Sequence, residues 1–223
     1  MRIILTILVI CSLAFPQDLP GWSFYGGLGM NNAKISESGA PSPKPLMGML
    51  AGVSKGVMLG GMPLFVGAGI GQRGYKVEFS ESETINEIDE ETGMEITGEM
   101  SVSMKGKFSL NYLDAWVVMP YPVGPGMFWA GPGVGIFLNG KAKGKMEMEM
   151  ELLGIPISQS ESINEDIEEG FDDLEFGLIL GYSYPLPIMD GKLNLNAGYY
   201  LGLVEHDDTV TFNSIFAHIS YRL

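Results

Sequence analysis

From Phe128 to Leu152 every second residue is apolar or small: Phe128, Ala130, Pro132, Val134, Ile136, Leu138, Gly140, Ala142, Gly144, Met146, Met148, Met150 and Leu152. A period of two puts the whole row on one face of a β-strand. The other face reads Trp129, Gly131, Gly133, Gly135, Phe137 and Asn139, then Lys141, Lys143 and Lys145, then Glu147, Glu149 and Glu151. A strand with one wet face in a soluble protein keeps such a pattern for about five or six residues, against about 25 here. An unbroken apolar row of this kind is what a lipid-facing strand demands, so the segment points to a membrane barrel.

The amino terminus agrees. Met1-Arg2 is a short positive start, Ile3 to Leu13 an apolar core, and Ser12-Leu13-Ala14 a small-x-small cleavage site. That pattern predicts a cleaved secretory signal peptide over 1–14, too short to span a bilayer as a helix. Cleavage removes Cys11, the sole cysteine, and with it disulfide, thiol-nucleophile and thiolate-metal chemistry. Residues 15–223 are read as one barrel domain. The net charge of −14 excludes nucleic acid as a partner and argues against plain electrostatic attachment to an anionic surface.

Alternation predicts eight strands: about Trp22 to Asn32, Leu46 to Lys55, Leu64 to Ser80, Met94 to Met119, Phe128 to Leu152, Phe171 to Tyr184, Lys192 to Val204 and Val210 to Leu223. The third is expected to carry a bulge near Gln72 to Gly74, and the fourth to turn Val102, Met104, Phe108, Leu110, Tyr112 and Trp116 outward. Connections alternate in length. Gly56 to Pro63, Pro120 to Gly126 and Pro185 to Gly191 are short, whereas Ala33 to Pro45, Glu81 to Gly93 and Leu153 to Gly170 are long and Glu205 to Thr209 modest. Short periplasmic turns and long outer loops are the habit of outer-membrane barrels, so both termini are expected in the periplasm. The expected fold is an all-β, eight-stranded antiparallel up-and-down transmembrane β-barrel with long outer hairpins. A repeat, SESETINEIDEE from Ser80 and SQSESINEDIEE from Ser158, falls in two of the outer loops.

Several segments together resemble the PorT-type outer-membrane β-barrel family: GAGIGQRGYKVEF from Gly67, NYLDAWVVM from Asn111, FWAGPGVGIFLNGKAK from Phe128, FDDLEFGLILGYSY from Phe171, YYLGLVEH from Tyr199 and IFAHISYRL from Ile215. The resemblance spans about residues 22 to 223 and rests on order and spacing. It implies an eight-stranded barrel in a Gram-negative outer membrane, mostly without assigned activity, with one branch in protein secretion. Leu113-Asp114-Ala115-Trp116 stands where the family has Leu-Glu-Ile-Pro, and Leu223 where it ends in Phe.

An eight-stranded barrel is wide enough only for side chains. A lumen plug is therefore expected from Arg73, Lys105, Lys107, Lys141, Lys143, Lys145, Asp173, Glu175, His218 and Arg222, with lysines of the fourth and fifth strands facing carboxylates of the sixth. Asn111, Asn139, Asn194 and Asn196 are placed on the same inner face. Clustered carboxylates at Glu87, Asp89, Glu90, Glu91, Glu165, Asp166, Glu168 and Glu169 are candidate oxygen ligands for Ca²⁺, although no EF-hand spacing accompanies them, and solvated loops are the preferred reading. No cofactor motif is found and no catalytic residue is assigned. His218 and Ser220 share a face but stand ~7 Å apart, too far for a nucleophile and its base.

The fifth strand extends roughly 80 Å, several times the 9 to 11 residues needed to cross, so its outer half should project as a ribbon with the outer part of the fourth. The functional expectation is an integral outer-membrane protein with a structural or surface-interaction role and a plugged lumen. Its expected partners are outer-membrane lipid and lipopolysaccharide, the barrel assembly machinery during biogenesis, and a protein at the projecting hairpins. The alternatives are a lipid-modifying outer-membrane enzyme and a secreted lipocalin-like barrel that binds a small ligand.

Overall fold

The computed structural model describes residues 21–36, 41–88, 95–152, 155–167, 174–205 and 210–223. Nine strands occur among them: β1 (Trp22–Ile35), β2 (Lys44–Leu59), β3 (Met62–Ile88), β4 (Glu95–Val123), β5 (Gly126–Leu152), β6 (Ile155–Ile167), β7 (Leu174–Pro185), β8 (Leu193–Gly202) and β9 (Val210–Arg222). The hydrogen-bonded order β4-β3-β2-β1-β9-β8-β7-β5 closes on itself through β4 and β5, with every pair antiparallel. The wall is an eight-membered up-and-down ring, and closure removes the free edges that an open sheet would present.

β6 accounts for the ninth strand. It pairs with the upper half of β5, Gly140 to Leu152, while β7 takes the lower half, Met127 to Ile136. The expected loop over Leu153 to Gly170 is thus corrected: most of it is strand, with Ile157, Ile163 and Ile167 alternating on one face. The expected loop over Glu81 to Gly93 shrinks in the same way, because β3 stays paired with β4 as far as Ile88 and Glu95. Together the upper parts of β3, β4, β5 and β6 form a four-stranded paddle that continues the wall beyond the ring.

At the opposite rim the connections are tight. Gly60 and Gly61 adopt φ of +58° and +83° between the paired residues Leu59 and Met62, the two positive angles that a two-residue hairpin turn needs. Val123 and Gly126 are joined just as closely. A 3-10 turn, Met189–Gly191, links β7 to β8. No helix among the described residues is long and apolar enough to cross a membrane.

Around the ring a belt of large apolar side chains points away from the lumen. Phe24, Leu28, Met49, Ile70, Leu113, Ile136, Phe176, Leu178, Leu195, Ile215 and Ile219 are all exposed on the outer wall. A lipocalin-like barrel would put these rows inside, so this arrangement is the lipid-facing one.

One irregularity reorganises the paddle. Asn111 pairs with Asn139, but the next residue, Tyr112, pairs with Phe137, which leaves Leu138 as an extra residue in β5. Such a β-bulge reverses the face on which every later residue lies. Below it Trp129, Gly131, Gly133, Gly135 and Phe137 face the lumen, as the alternation predicts. Above it the apolar row, Ala142, Met146, Met148 and Met150, faces inward and the lysines face out. β4 corrects a second expectation. Leu110 and Tyr112 are fully buried and Trp116 lines the lumen, so its even-numbered row points in. The irregularity expected at Gln72 to Gly74 belongs instead to β2, whose register with β3 shifts between Pro45 and Leu50.

Candidate functional site

Arg73 of β3 is the centre of the lumen. Its Nη2 lies 2.8 Å from Asp114 Oδ1 of β4 and its Nε 3.2 Å from Glu175 Oε2 of β7. The guanidinium also sits 4.4 Å from the ring centre of Tyr112 and 4.8 Å from that of Tyr200. One cation thus ties together three strands and stacks on aromatics from β4 and β8, the geometry for which a planar, permanently charged guanidinium is suited. Glu175 is wholly buried, and a carboxylate there is tolerable because the cation beside it offsets its desolvation.

Apolar layers flank this cluster. Ala33, Tyr75, Val77, Leu110, Tyr112, Val210 and Phe212 form one, with Tyr75 stacked on Phe108 at 4.9 Å. Val118, Trp129, Tyr200 and Phe216 form the other, towards the tight-turn rim. Inward glycines make room for these rings. A Cβ at Gly177 would come within 2.5 Å of the Tyr200 ring, and one at Gly67 within 2.2 Å of Trp116. A cavity of about 220 Å³ remains, bordered by Tyr25, Trp116, Trp129, Asn196, Phe216 and His218.

Two buried amides add bonds between strands. Asn31 Nδ2 donates to Gln72 O at 2.9 Å and to Leu46 O at 3.3 Å, both beside the register shift of β2 where ladder bonding lapses. Asn196 Nδ2 donates to Ser220 Oγ at 3.1 Å. His218 stands between Tyr25 and Phe216, with ring centres 5.1 and 5.8 Å away.

Of the residues expected in the lumen, Arg73, Glu175, His218 and Arg222 lie on the inner wall. Lys105, Lys107, Lys141, Lys143 and Lys145 do not: the Leu138 bulge carries Lys141, Lys143 and Lys145 of β5 to the outer face of the paddle, and Lys105 and Lys107 of β4 face out because the even-numbered row of that strand points in; Asn111 and Asn139 lie on the same outer face. Asp173 lies outside the described residues. Asp114 is the cluster member that sequence reasoning missed. The signal was present: a lone carboxylate in the row Leu110, Tyr112, Trp116, whose inward face went unrecognised.

Among the acidic candidates, Asp89, Glu90, Glu91, Glu168 and Glu169 fall outside the described residues. Glu87 is placed by its backbone, opposite Ile96. Glu165 sits opposite Ala142 on β6, and Asp166 pairs with Lys141 at 3.1 Å on the other face. Among the described residues no three His, Cys, Asp or Glu converge as metal ligands. Outside, Lys44 is ion-paired with Glu78 and Lys145 with Glu147. The ammonium of Lys44, by hydrogen bond and then by charge, holds the Glu78 carboxyl below the usual carboxylate range, and Lys145 does the same for Glu147.

The sequence matches the outer membrane protein beta-barrel domain over residues 17–207. The chain belongs to that family. No curated relative matches it. Among solved structures it is similar to Neisserial surface protein A, at 12% identity with a TM-score of 0.40 over 93% of this chain and 100% of that one. It is also similar to the attachment invasion locus protein Ail of Yersinia pestis, at 13% identity and 0.42 over 92% and 99%. As an outer membrane beta-barrel, the chain has a physical use for its outward apolar belt, which faces hydrocarbon, and for its closed hydrogen-bond ring, which pairs strand with strand all the way round. The Arg73 cluster lies at the level of Leu113, Ile136 and Leu174, the upper part of that belt.

Proposed function

We propose that this protein is a closed, non-conducting barrel whose working part is the projecting paddle, a surface element for interaction. The carrying observation is the Arg73–Asp114–Glu175 cluster, which joins β3, β4 and β7 through the lumen between two aromatic layers. A charged group fixed by two carboxylates and two rings is a plug, and ions would have to displace it to pass. The finer reading is a PorT-type barrel, exported by a signal peptide over 1–14, with both termini and the tight turns in the periplasm and the paddle outside. No enzymatic chemistry is assigned, as His218 faces the lumen between aromatic rings instead of the lipid.

Conductance across a planar bilayer tests the plug. The purified protein should give a flat current at physiological voltages, and discrete unitary openings would overturn the reading. Protease added to intact cells tests orientation: cleavage should fall in the paddle and spare the Gly60-Gly61 turn, and the converse pattern would invert it.

A further inference from the structure

The outer wall at the base of the paddle carries a concentration of positive charge that the fold alone does not explain. Register places Lys44 opposite Lys76, Lys76 opposite Lys107, and Lys107 opposite Lys143, one row across β2, β3, β4 and β5. In the next row Lys105 faces Lys145. Like charges directly opposed across strands are destabilising. Three carboxylates stand among them, Glu78, Glu147 and Asp166, each paired with one lysine. Lys107 and Lys143 have no ion-pair partner among the described residues, and Lys76 and Lys105 share at longer range the carboxylate of Glu78 that Lys44 already holds. A chain of net charge −14 has thus gathered seven lysines against three carboxylates on one side of its wall.

We propose that this face docks the phosphorylated headgroups of outer-leaflet glycolipid. The order of side chains along the outer wall of β5 carries the argument. Leu138 ends the apolar belt, Asn139 follows, Lys141, Lys143 and Lys145 come next, and Glu147, Glu149 and Glu151 lie farthest out. At ~3.3 Å per residue the lysines occupy roughly 10 to 23 Å of strand beyond the belt. That is the order hydrocarbon, anionic headgroup, water, and each layer meets the side chains complementary to it. A shallow concavity of about 520 Å³ opens at the same level, bordered by Lys107, Lys141, Lys143, Asn111, Asn139 and Asp166. Its ammonium and amide donors suit phosphate and sugar hydroxyls. The bulge at Leu138 brings Lys141, Lys143 and Lys145 of β5 onto the face that Lys44, Lys76, Lys105 and Lys107 already occupy. Without the register shift those three would point towards the lumen.

The inference rests on the outward orientation of the paddle proposed above, and the test is chosen to be independent of it. The full chain is reconstituted in phosphatidylcholine nanodiscs containing bisphosphorylated lipid A in both leaflets, so that either orientation meets the lipid. Lipid A retained by the protein is counted by native mass spectrometry. Wild type should bind bisphosphorylated lipid A about tenfold or more tightly than the dephosphorylated form, with the preference shrinking as salt is raised. K76Q/K107Q/K143Q should abolish that preference, and K76R/K107R/K143R should keep it. Equal binding of the two lipid forms by wild type would overturn the proposal whatever the variants do. Full preference in the glutamine variant would overturn it too, as would displacement of the lipid by inorganic phosphate at matched concentration.

Discussion

Arg73 Nε and Glu175 Oε2 stand 3.2 Å apart although their strands, β3 and β7, are not neighbours in the ring. The pair therefore crosses the lumen, and breaking it should weaken the barrel as a whole. Truncation of one partner in a buried ion cluster leaves the others desolvated and unpaired, a loss of about 3 to 5 kcal/mol. R73M should lose stability on that scale in urea unfolding from lipid vesicles. R73M/D114N/E175Q should recover much of it, because the stranded charges have gone.

Gly177 is held small by the Tyr200 ring it faces. Alanine there must push that ring away from Arg73, and overpacking of this kind destabilises by about 1 to 3 kcal/mol. G177A should lower the temperature at which the folded, fast-migrating form disappears from detergent gels. G60A, at a turn with open space around it, is a less useful control because its φ is +58°. Ala197→Gly on the outer wall serves instead.

The outer belt can be probed one residue at a time. Leu180 points outward in the middle of β7. Arginine at the bilayer midplane of such a barrel costs about 2 to 4 kcal/mol. L180R should therefore be destabilised to that extent in lipid, and an equal stability of L180R and wild type would argue against the lipid-facing assignment.

The Lys44–Glu78 pair should respond to acid. Glu78 titrates below its ordinary range when folded, so the contribution of the pair is present above the unfolded carboxylate pKa and is lost as pH falls through the lower, folded value. Carboxyl carbon shifts in NMR should show Glu78 titrating late, and K44Q should return it towards the usual range.

The repeated acidic segments occupy the two free margins of the paddle: Ser80 to Ile88 on β3 and Ser158 to Ile167 on β6. Charge on an exposed edge strand discourages other chains from adding to it. E81Q/E83Q/E161Q/E165Q should therefore self-associate faster than wild type, as followed by light scattering in detergent.

Much of this architecture was legible in the sequence because period-two alternation carries both strand and face. The ring of eight and the short connection that holds Gly60-Gly61 both follow from it. It failed wherever a bulge intervened. Between Leu138 and Ala142 the apolar alternation is unbroken in sequence, and nothing in it announces that one residue lacks a partner on β4. Lys141, Lys143 and Lys145 were misplaced for that reason, and Lys105 and Lys107 because the apolar even-numbered row of β4 reads as lipid-facing although it points in. β6 was missed for another: in SQSESINEDI serine and glutamate hide a strand whose pairing is supplied by β5. Arg73 and Glu175 could be placed on the inner wall from their own strands. Asp114 was masked: the aromatic residues beside it read as a lipid-facing row, and only the lone carboxylate among them pointed the other way.

β3 and β4 stay in register without interruption from Phe65 and Val118 to Ile88 and Glu95. Barrel and paddle are thus one beam and not two bodies joined by a hinge. A load applied at the tip is carried down the hydrogen-bond ladder into the wall, where Arg73 braces β3 against β7. Whatever pulls on the outer end of this protein pulls on a cantilever anchored in the bilayer.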